Sequence, residues 1–252
     1  RASPADAVVS LRAGAGGTLV LAHPIGGGLF AYRELVAALR AGVRVVGLEA
    51  TEPPRSLGAV ASRYAAALDG LEPLVLAGWS AGGVLAHEIA CRLVELGAAA
   101  PPVVLVDAWP PTREEPEQDE LLRSFLFDLS RSMGEEPPPL PRELARLPVA
   151  EALGELARER PELARAGVGD LVARYELFAT NLRAFERHAP RRYDGPVHVV
   201  RPAESELVPE VWSPLARSLT VVEVPGGHYS VLRQPAVLEL ARAVDRVLDT
   251  DR

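Results

Sequence analysis

Four short apolar runs alternate with helix-period segments through the first part of the chain, and this rhythm restricts the fold more than any other feature. The runs are TLVLAHP (Thr18 to Pro24), RVVGLEA (Arg44 to Ala50), PLVLAGW (Pro73 to Trp79) and PVVLVDA (Pro102 to Ala108). Each is short, rich in Val and Leu, and mostly flanked by Gly or Pro, as strands buried on both faces are. Helical spacing of apolar residues fills the gaps, over Tyr32–Leu39, Leu57–Leu68 and Ala81–Leu96. Strand, helix, strand at this spacing requires crossover connections, and so predicts a mostly parallel central sheet flanked by helices.

The rhythm stops at Pro110 and resumes near Arg192. In between, Leu121, Leu122, Phe125, Leu126 and Leu129 form one helical stripe, and Leu171, Tyr175, Phe178, Leu182 and Phe185 form another. The Pro-rich EEPPPLPREL separates them. Strand-like runs then return as PVHVVRP (Pro196 to Pro202) and LTVVEVP (Leu219 to Pro225), before a closing helix from Pro235 to about Leu248. The expected organisation is one α/β domain over residues 1–252, with a core of about 8–109 and 193–249. A helical lid insertion occupies about 110–192, far longer than an ordinary connection.

Composition narrows the class. With 252 residues and 48% apolar content, the chain buries a full core without disulfides. The lone Cys91 fits a reducing compartment, and a cytoplasmic location is expected. A net charge of −7 argues against nucleic acid as a partner, and the use of Arg for all 27 basic residues reads as GC-rich coding rather than chemistry. No apolar run is long enough to span a bilayer, and the N-terminal RASPADAVVSL does not have the form of a signal peptide. The abrupt start, without Met, suggests an excised domain.

GWSAGG carries the sharpest chemical signal. Gly78, Ser80 and Gly82 satisfy G-x-S-x-G between an apolar strand and a helix. That is the setting of a nucleophile elbow, where a strained turn presents the Ser hydroxyl above the sheet at a helix N-terminus. A Gly-rich turn with an incidental Ser is the competing reading. The Ser needs a base. His228, on the Gly-Gly loop of VPGGHYSVL beyond the last strand, is best placed. His23, at another strand end, is its serious competitor. His188 reads as a charge at a helix C-terminus, His198 lies within a strand, and His87 sits two turns along the helix from Ser80. HEIAC, starting at His87, has Cys91 where a zinc-binding HExxH has its second His, so no metal site is expected.

An acid must fix the tautomer of the base. Asp107 closes one apolar run, while Glu204 and Glu206 follow a later one in RPAESE. Both choices keep the order Ser, acid, His. An Asp closing a short apolar run is the rarer accident, which favours Asp107 without deciding the matter. Oxyanion donors are expected from the amide of Ala81, just after the Ser, and from the glycine-rich PIGGG loop, at Ile25. The GGG of that loop lacks the dinucleotide spacing G-x-G-x-x-G, so no cofactor of that kind is expected.

Taken in order, HPIGGGLFAYREL, GWSAGGVLAHEIA, LVDAWPP and GGHYSVL resemble the terminal (type I) thioesterase domains of nonribosomal peptide synthetases and polyketide synthases. NLRAFERHAPRRYDGPVHVVRPAES resembles their return from lid to core. The resemblance runs from about Val8 to Leu240 and implies an α/β-hydrolase fold. It also implies Asp107 as the acid over Glu204, Ser80 as acyl acceptor, His228 as base, and the Ile25 and Ala81 amides as oxyanion donors. Its reaction is release of an acyl chain, delivered as a thioester on the 4′-phosphopantetheine of an acyl or peptidyl carrier protein, as acid or macrocycle. The enzyme would need no cofactor of its own. Two positions depart from the common pattern: Gly227 stands where a polar residue is often seen, and His87 where an aromatic is usual. A standalone editing thioesterase, a generic carboxylesterase and a non-catalytic binding protein of the same fold are the alternatives.

Overall fold

The computed structural model describes residues 7–68, 70–71, 74–160, 163 and 167–250. Among these, seven strands form one sheet: β1 (Val8–Arg12), β2 (Thr18–Ala22), β3 (Arg44–Leu48), β4 (Leu74–Trp79), β5 (Val103–Val106), β6 (Tyr193–Pro202) and β7 (Ala216–Val224). Their spatial order is β1-β3-β2-β4-β5-β6-β7. All neighbours are parallel except β1 and β3, which run antiparallel with Val8 opposite Leu48. Every residue of β2, β4 and β5 is buried, which is why these strands read as continuous apolar runs. Pro73, where the third run was expected to open, lies outside the described residues.

Alternation along the strands divides the core into two layers. Val20, Val46, Leu76 and Leu105 face α2 (Leu57–Ala67) and α3 (Ala81–Glu95). Leu19, Val45, Val75 and Val104 face α1 (Arg33–Ala38) and the closing helix α8 (Ala236–Thr250). Helices on both faces of a mostly parallel sheet make the expected α/β architecture.

The described residues between β5 and β6 include the helices α4 (Gln118–Met133), α5 (Arg142–Ala145), α6 (Val149–Glu159) and α7 (Val168–Glu186). They bury an apolar cluster of their own, in which Leu121 and Phe125 of α4 meet Leu153 and Leu156 of α6 and Leu171, Tyr175 and Phe178 of α7. The two stripes seen in the sequence are therefore mainly packing surface. Phe178, Leu182 and Phe185, toward the far end of the second stripe, also line a cleft.

Three elements are additions to the sequence reading, one of them the single-turn helix α5. Strand β1 is only half-buried, so its apolar run is short and weak. Helix α6, with Ala152, Leu153, Leu156 and Ala157 buried, follows the Pro-rich linker and has an amphipathic stripe of its own.

Candidate active site

The order of the sheet reverses beside β2: the chain moves outward to β3, then returns to β4 on the other side. Open α/β sheets bind ligands at such a switch point, beyond the C-terminal strand ends. Ser80 follows β4, and the loop holding Ile25 follows β2. Asp107 follows β5 and His228 lies beyond β7, so the expected residues all lie past the C-terminal ends of the strands.

The turn at Ser80 is tight enough to dictate its glycines. Ser80 has φ 57° and ψ −132°, a conformation that disfavours a non-Gly residue by roughly 1–3 kcal/mol. A Cβ on Gly78 would stand 2.0 Å from the Gly82 carbonyl oxygen, and one on Gly82 would stand 2.6 Å from that of Ala22. Strand, turn and helix thus approach one another at distances only glycine permits. The turn is held by Ser80 N–H donating to Val106 O at 3.0 Å and Gly83 N–H donating to Ser80 O at 2.9 Å. Tyr32, fully buried, braces the two strand ends beneath: its hydroxyl donates to Ala22 O at 2.7 Å and accepts from Trp79 N–H at 2.9 Å.

Asp107 is 0% exposed and also adopts positive φ, at 45°. Its Oδ2 lies 2.8 Å from His228 Nδ1. Its Oδ1 accepts from the hydroxyl of Ser205 at 2.5 Å, and that hydroxyl in turn accepts from Leu207 N–H at 3.0 Å. With Nδ1–H directed to the carboxylate, Nε2 of His228 is left as the acceptor. The histidine is held from behind as well: Trp79 Nε1–H donates to its carbonyl oxygen at 2.8 Å, and the Trp79 ring lies 4.8 Å from the imidazole.

Glu204 and Glu206 are exposed. Glu204 flanks the loop, with Oε2 only 3.1 Å from where a Cβ on Gly227 would be, while the hydrogen bond to the ring comes from Asp107. Ser205, between the two glutamates, is the polar residue the sequence reading passed over. A serine between two acids in a polar loop gives no signal of burial, yet it is 8% exposed.

His23 is buried, with Nδ1 2.8 Å from Pro24 O, and burial depresses its pKa to about 4. It lines a small apolar void with Leu57, Leu85 and Phe185, and Ser80 is not among the residues around that void. His87 packs against Tyr193 and Trp212, a ring filling an aromatic position. His188 lies 3.5 Å from the buried Glu88 and is held below its ordinary pKa, chiefly by burial. His198 is partly buried in β6, and burial lowers its pKa too.

Ser80, Ala81, Ile25 and His228 open onto one cleft of about 530 Å³. Neither the Ile25 nor the Ala81 amide is committed to a backbone carbonyl among the described residues. The Ile25 carbonyl is held from the opposite side by Asn181 of α7, whose Nδ2 donates at 2.8 Å. The rest of the wall includes Trp109, Phe127 and Asp128, with Phe178, Leu182 and Phe185 of α7. A hydroxyl in a strained turn, an imidazole oriented by a buried carboxylate and two free amides are together suited to acyl transfer.

A family model described as Thioesterase domain matches residues 17–245. Pyochelin synthetase PchF from Pseudomonas aeruginosa is 30% identical over 94% of this chain and 16% of its own length. The non-reducing polyketide synthase terA from Aspergillus terreus is 29% identical over 70% of this chain and 8% of its own length. The chain thus spans less than a fifth of these relatives. Among solved structures, the Vlm2 thioesterase domain carrying 2,3-diaminopropionic acid bound with a dodecadepsipeptide has a TM-score of 0.69 and 26% identity. That match covers 96% of this chain and 98% of the Vlm2 chain. Among the described residues, no helix is long and apolar enough to cross a membrane. This chain belongs to the thioesterase domain family: it is a serine hydrolase of the thioesterase class with the α/β-hydrolase fold, similar to the thioesterase domains of nonribosomal peptide and polyketide synthases.

Proposed function

We propose that the chain is a terminal thioesterase that releases a peptidyl or polyketide chain from a carrier protein through an acyl-enzyme on Ser80. The observation carrying this reading is the 2.8 Å contact between His228 Nδ1 and Asp107 Oδ2, on the cleft that Ser80 also lines. Ser80 Oγ attacks the thioester carbonyl carbon while Nε2 of His228 takes the hydroxyl proton. Asp107 stabilises the imidazolium, and the amides of Ile25 and Ala81 hold the oxyanion. Collapse breaks the C–S bond, and the departing thiolate takes the proton from His228. Water, or a hydroxyl or amine from the far end of the chain, then gives its proton to His228 and attacks the ester carbon. Ser80 leaves and recovers its proton, giving the free acid or a macrocycle.

The carrier is an acyl or peptidyl carrier protein, and its 4′-phosphopantetheine arm brings the substrate. The synthase relatives support this partner, and the dodecadepsipeptide bound to Vlm2 supports an extended acyl chain. So does the cleft, whose size suits a multi-unit chain better than an acetyl group. The whole of 1–252 acts as one domain, in which residues of about 110–192 serve as a lid excluding stray water. The single unpaired Cys91 fits a cytoplasmic setting.

The test is a panel of peptidyl and polyketide thioesters with products identified by mass. Free acid means hydrolysis, and a product lighter by one water means cyclisation. A protein that cleaves oxygen esters but no thioester would overturn the proposal.

A further inference from the structure

Asp128 presents a carboxylate to the cleft with no use in the chemistry above. It sits on α4, lines the same cleft as Ser80 and Ala81, and is half-buried. Its Oδ1 accepts from the Tyr229 hydroxyl at 3.1 Å, directly beside His228 in sequence. Its Oδ2 lies 3.7 Å from where a Cβ on Gly26 would be, next to the oxyanion residue Ile25. The carboxylate is therefore bonded to the histidine loop and lies near the oxyanion loop. Among the described residues, Oδ2 accepts no hydrogen bond.

Among the described residues, Asp128 also forms no ion pair with an arginine. Arg131, on the same helix, pairs with Glu136 and lies over the Phe127 ring. Arg123, which also lines the cleft, turns to Asp119 and the Leu140 carbonyl. The ionisable neighbours that act on Asp128 are Tyr229 and His228, and burial raises its pKa above the ordinary Asp range. Neither arginine pairs with the Asp128 carboxylate. A carboxylate oxygen open toward the cleft is available to a cationic group of a bound chain.

We propose that Asp128 is a specificity-determining residue that receives a protonated amine of the acyl chain, held close to the ester carbonyl. This rests on the thioesterase reading of the same site. The free Oδ2 is the acceptor, and Tyr229 fixes the plane of the carboxylate through Oδ1. A charge-assisted hydrogen bond of this kind changes affinity by about 10- to 100-fold when its partner is removed.

The experiment uses acyl N-acetylcysteamine thioesters bearing a primary amine at increasing distances from the thioester. Each is matched to a chain with a methyl group in place of the amine. The quantity read is the ratio of kcat/KM for the amine chain to that for its methyl match. For one amine position the wild-type ratio is expected to exceed about 10, and Asp128→Asn should bring it to near 1. Asp128→Ser serves as the second variant should the Asn protein melt early. Equal ratios in the wild type at every position would overturn the inference, as would a wild-type preference that survives in the folded variant. If both members of each pair slow equally, Asp128 acts on His228 instead, and the inference is again overturned. A wild type that cleaves no thioester at all sinks the thioesterase reading itself, a result distinct from any of these.

Discussion

Replacing Asp107 by Asn removes one charge and reverses one hydrogen bond at a position with 0% exposure. The native carboxylate receives Ser205 Oγ–H at 2.5 Å on one oxygen and faces His228 Nδ1 at 2.8 Å with the other. An Asn amide offers one acceptor and one donor, so only one of these contacts survives. If the NH₂ group faces the ring, His228 is held with its proton on Nε2 and cannot take the Ser80 proton. If it faces Ser205, the imidazolium formed during reaction loses its counter-charge. At an effective dielectric of ~20, two unit charges about 4 Å apart attract by about 4 kcal/mol. The tautomer penalty adds to this, so a barrier increase of roughly 5.5 kcal/mol, or about 10⁴ in kcat, is expected. The backbone should tolerate the change, because Asn adopts positive φ as readily as Asp. Glu204→Gln, altering an exposed side chain, should change the rate only a few-fold. The assay is thioester cleavage followed by thiol release, with a thermal melt of each variant to establish that it is folded. If folded Asp107→Asn stays within tenfold of wild type while Glu204→Gln collapses, the reasoning is refuted.

Three further outcomes are expected. Ser205→Ala removes a hydrogen bond to a buried carboxylate, worth about 1.5–3 kcal/mol, so kcat should fall roughly 10- to 100-fold with KM little changed. Gly82→Ala places a Cβ 2.6 Å from the backbone oxygen of Ala22, so calorimetry should show a loss of about 1–3 kcal/mol, and labelling by a serine-directed phosphonate should slow. The pH dependence of stability should carry a contribution from His23, whose folded pKa of about 4 lies below its ordinary 6.5. Between those values the unfolded chain binds a proton that the folded chain declines. Stability is therefore lost as pH falls from about 6.5 to 4, by up to about 3 kcal/mol from this group. His23→Gln should flatten that part of a denaturation-versus-pH curve, and an unchanged slope would count against the assignment.

Much of the fold was legible because β2, β4 and β5 are buried on both faces, leaving uninterrupted apolar runs between Gly and Pro. Strand β1 was not, since an edge strand that is only half-buried leaves too short a pattern to separate from a loop. Helix α6 lay concealed behind EEPPPLPREL, whose prolines suggest a linker running on further than it does. In the site, local chemistry was visible where a turn demands particular residues, as the Cβ clashes around Gly78 and Gly82 explain. Partnerships across space were not. Asp107 and Glu204 follow different strands with the same chain order, and only the fold brings one of them to 2.8 Å from His228. Ser205 and Asp128 carry no local mark of function. One is a small hydroxyl between two glutamates, the other a polar position on an amphipathic helix.

The central claim is that the acyl chain passes through Ser80, and the most direct measurement is to trap it there. The protein is mixed with a slowly released acyl thioester, quenched in acid, weighed intact and digested to locate the added mass. The account predicts a gain equal to the acyl group on the peptide containing GWSAGG, at Ser80, and no gain in Ser80→Ala. An adduct on another residue, or a Ser80→Ala protein that still turns over the thioester at the wild-type rate, would contradict it.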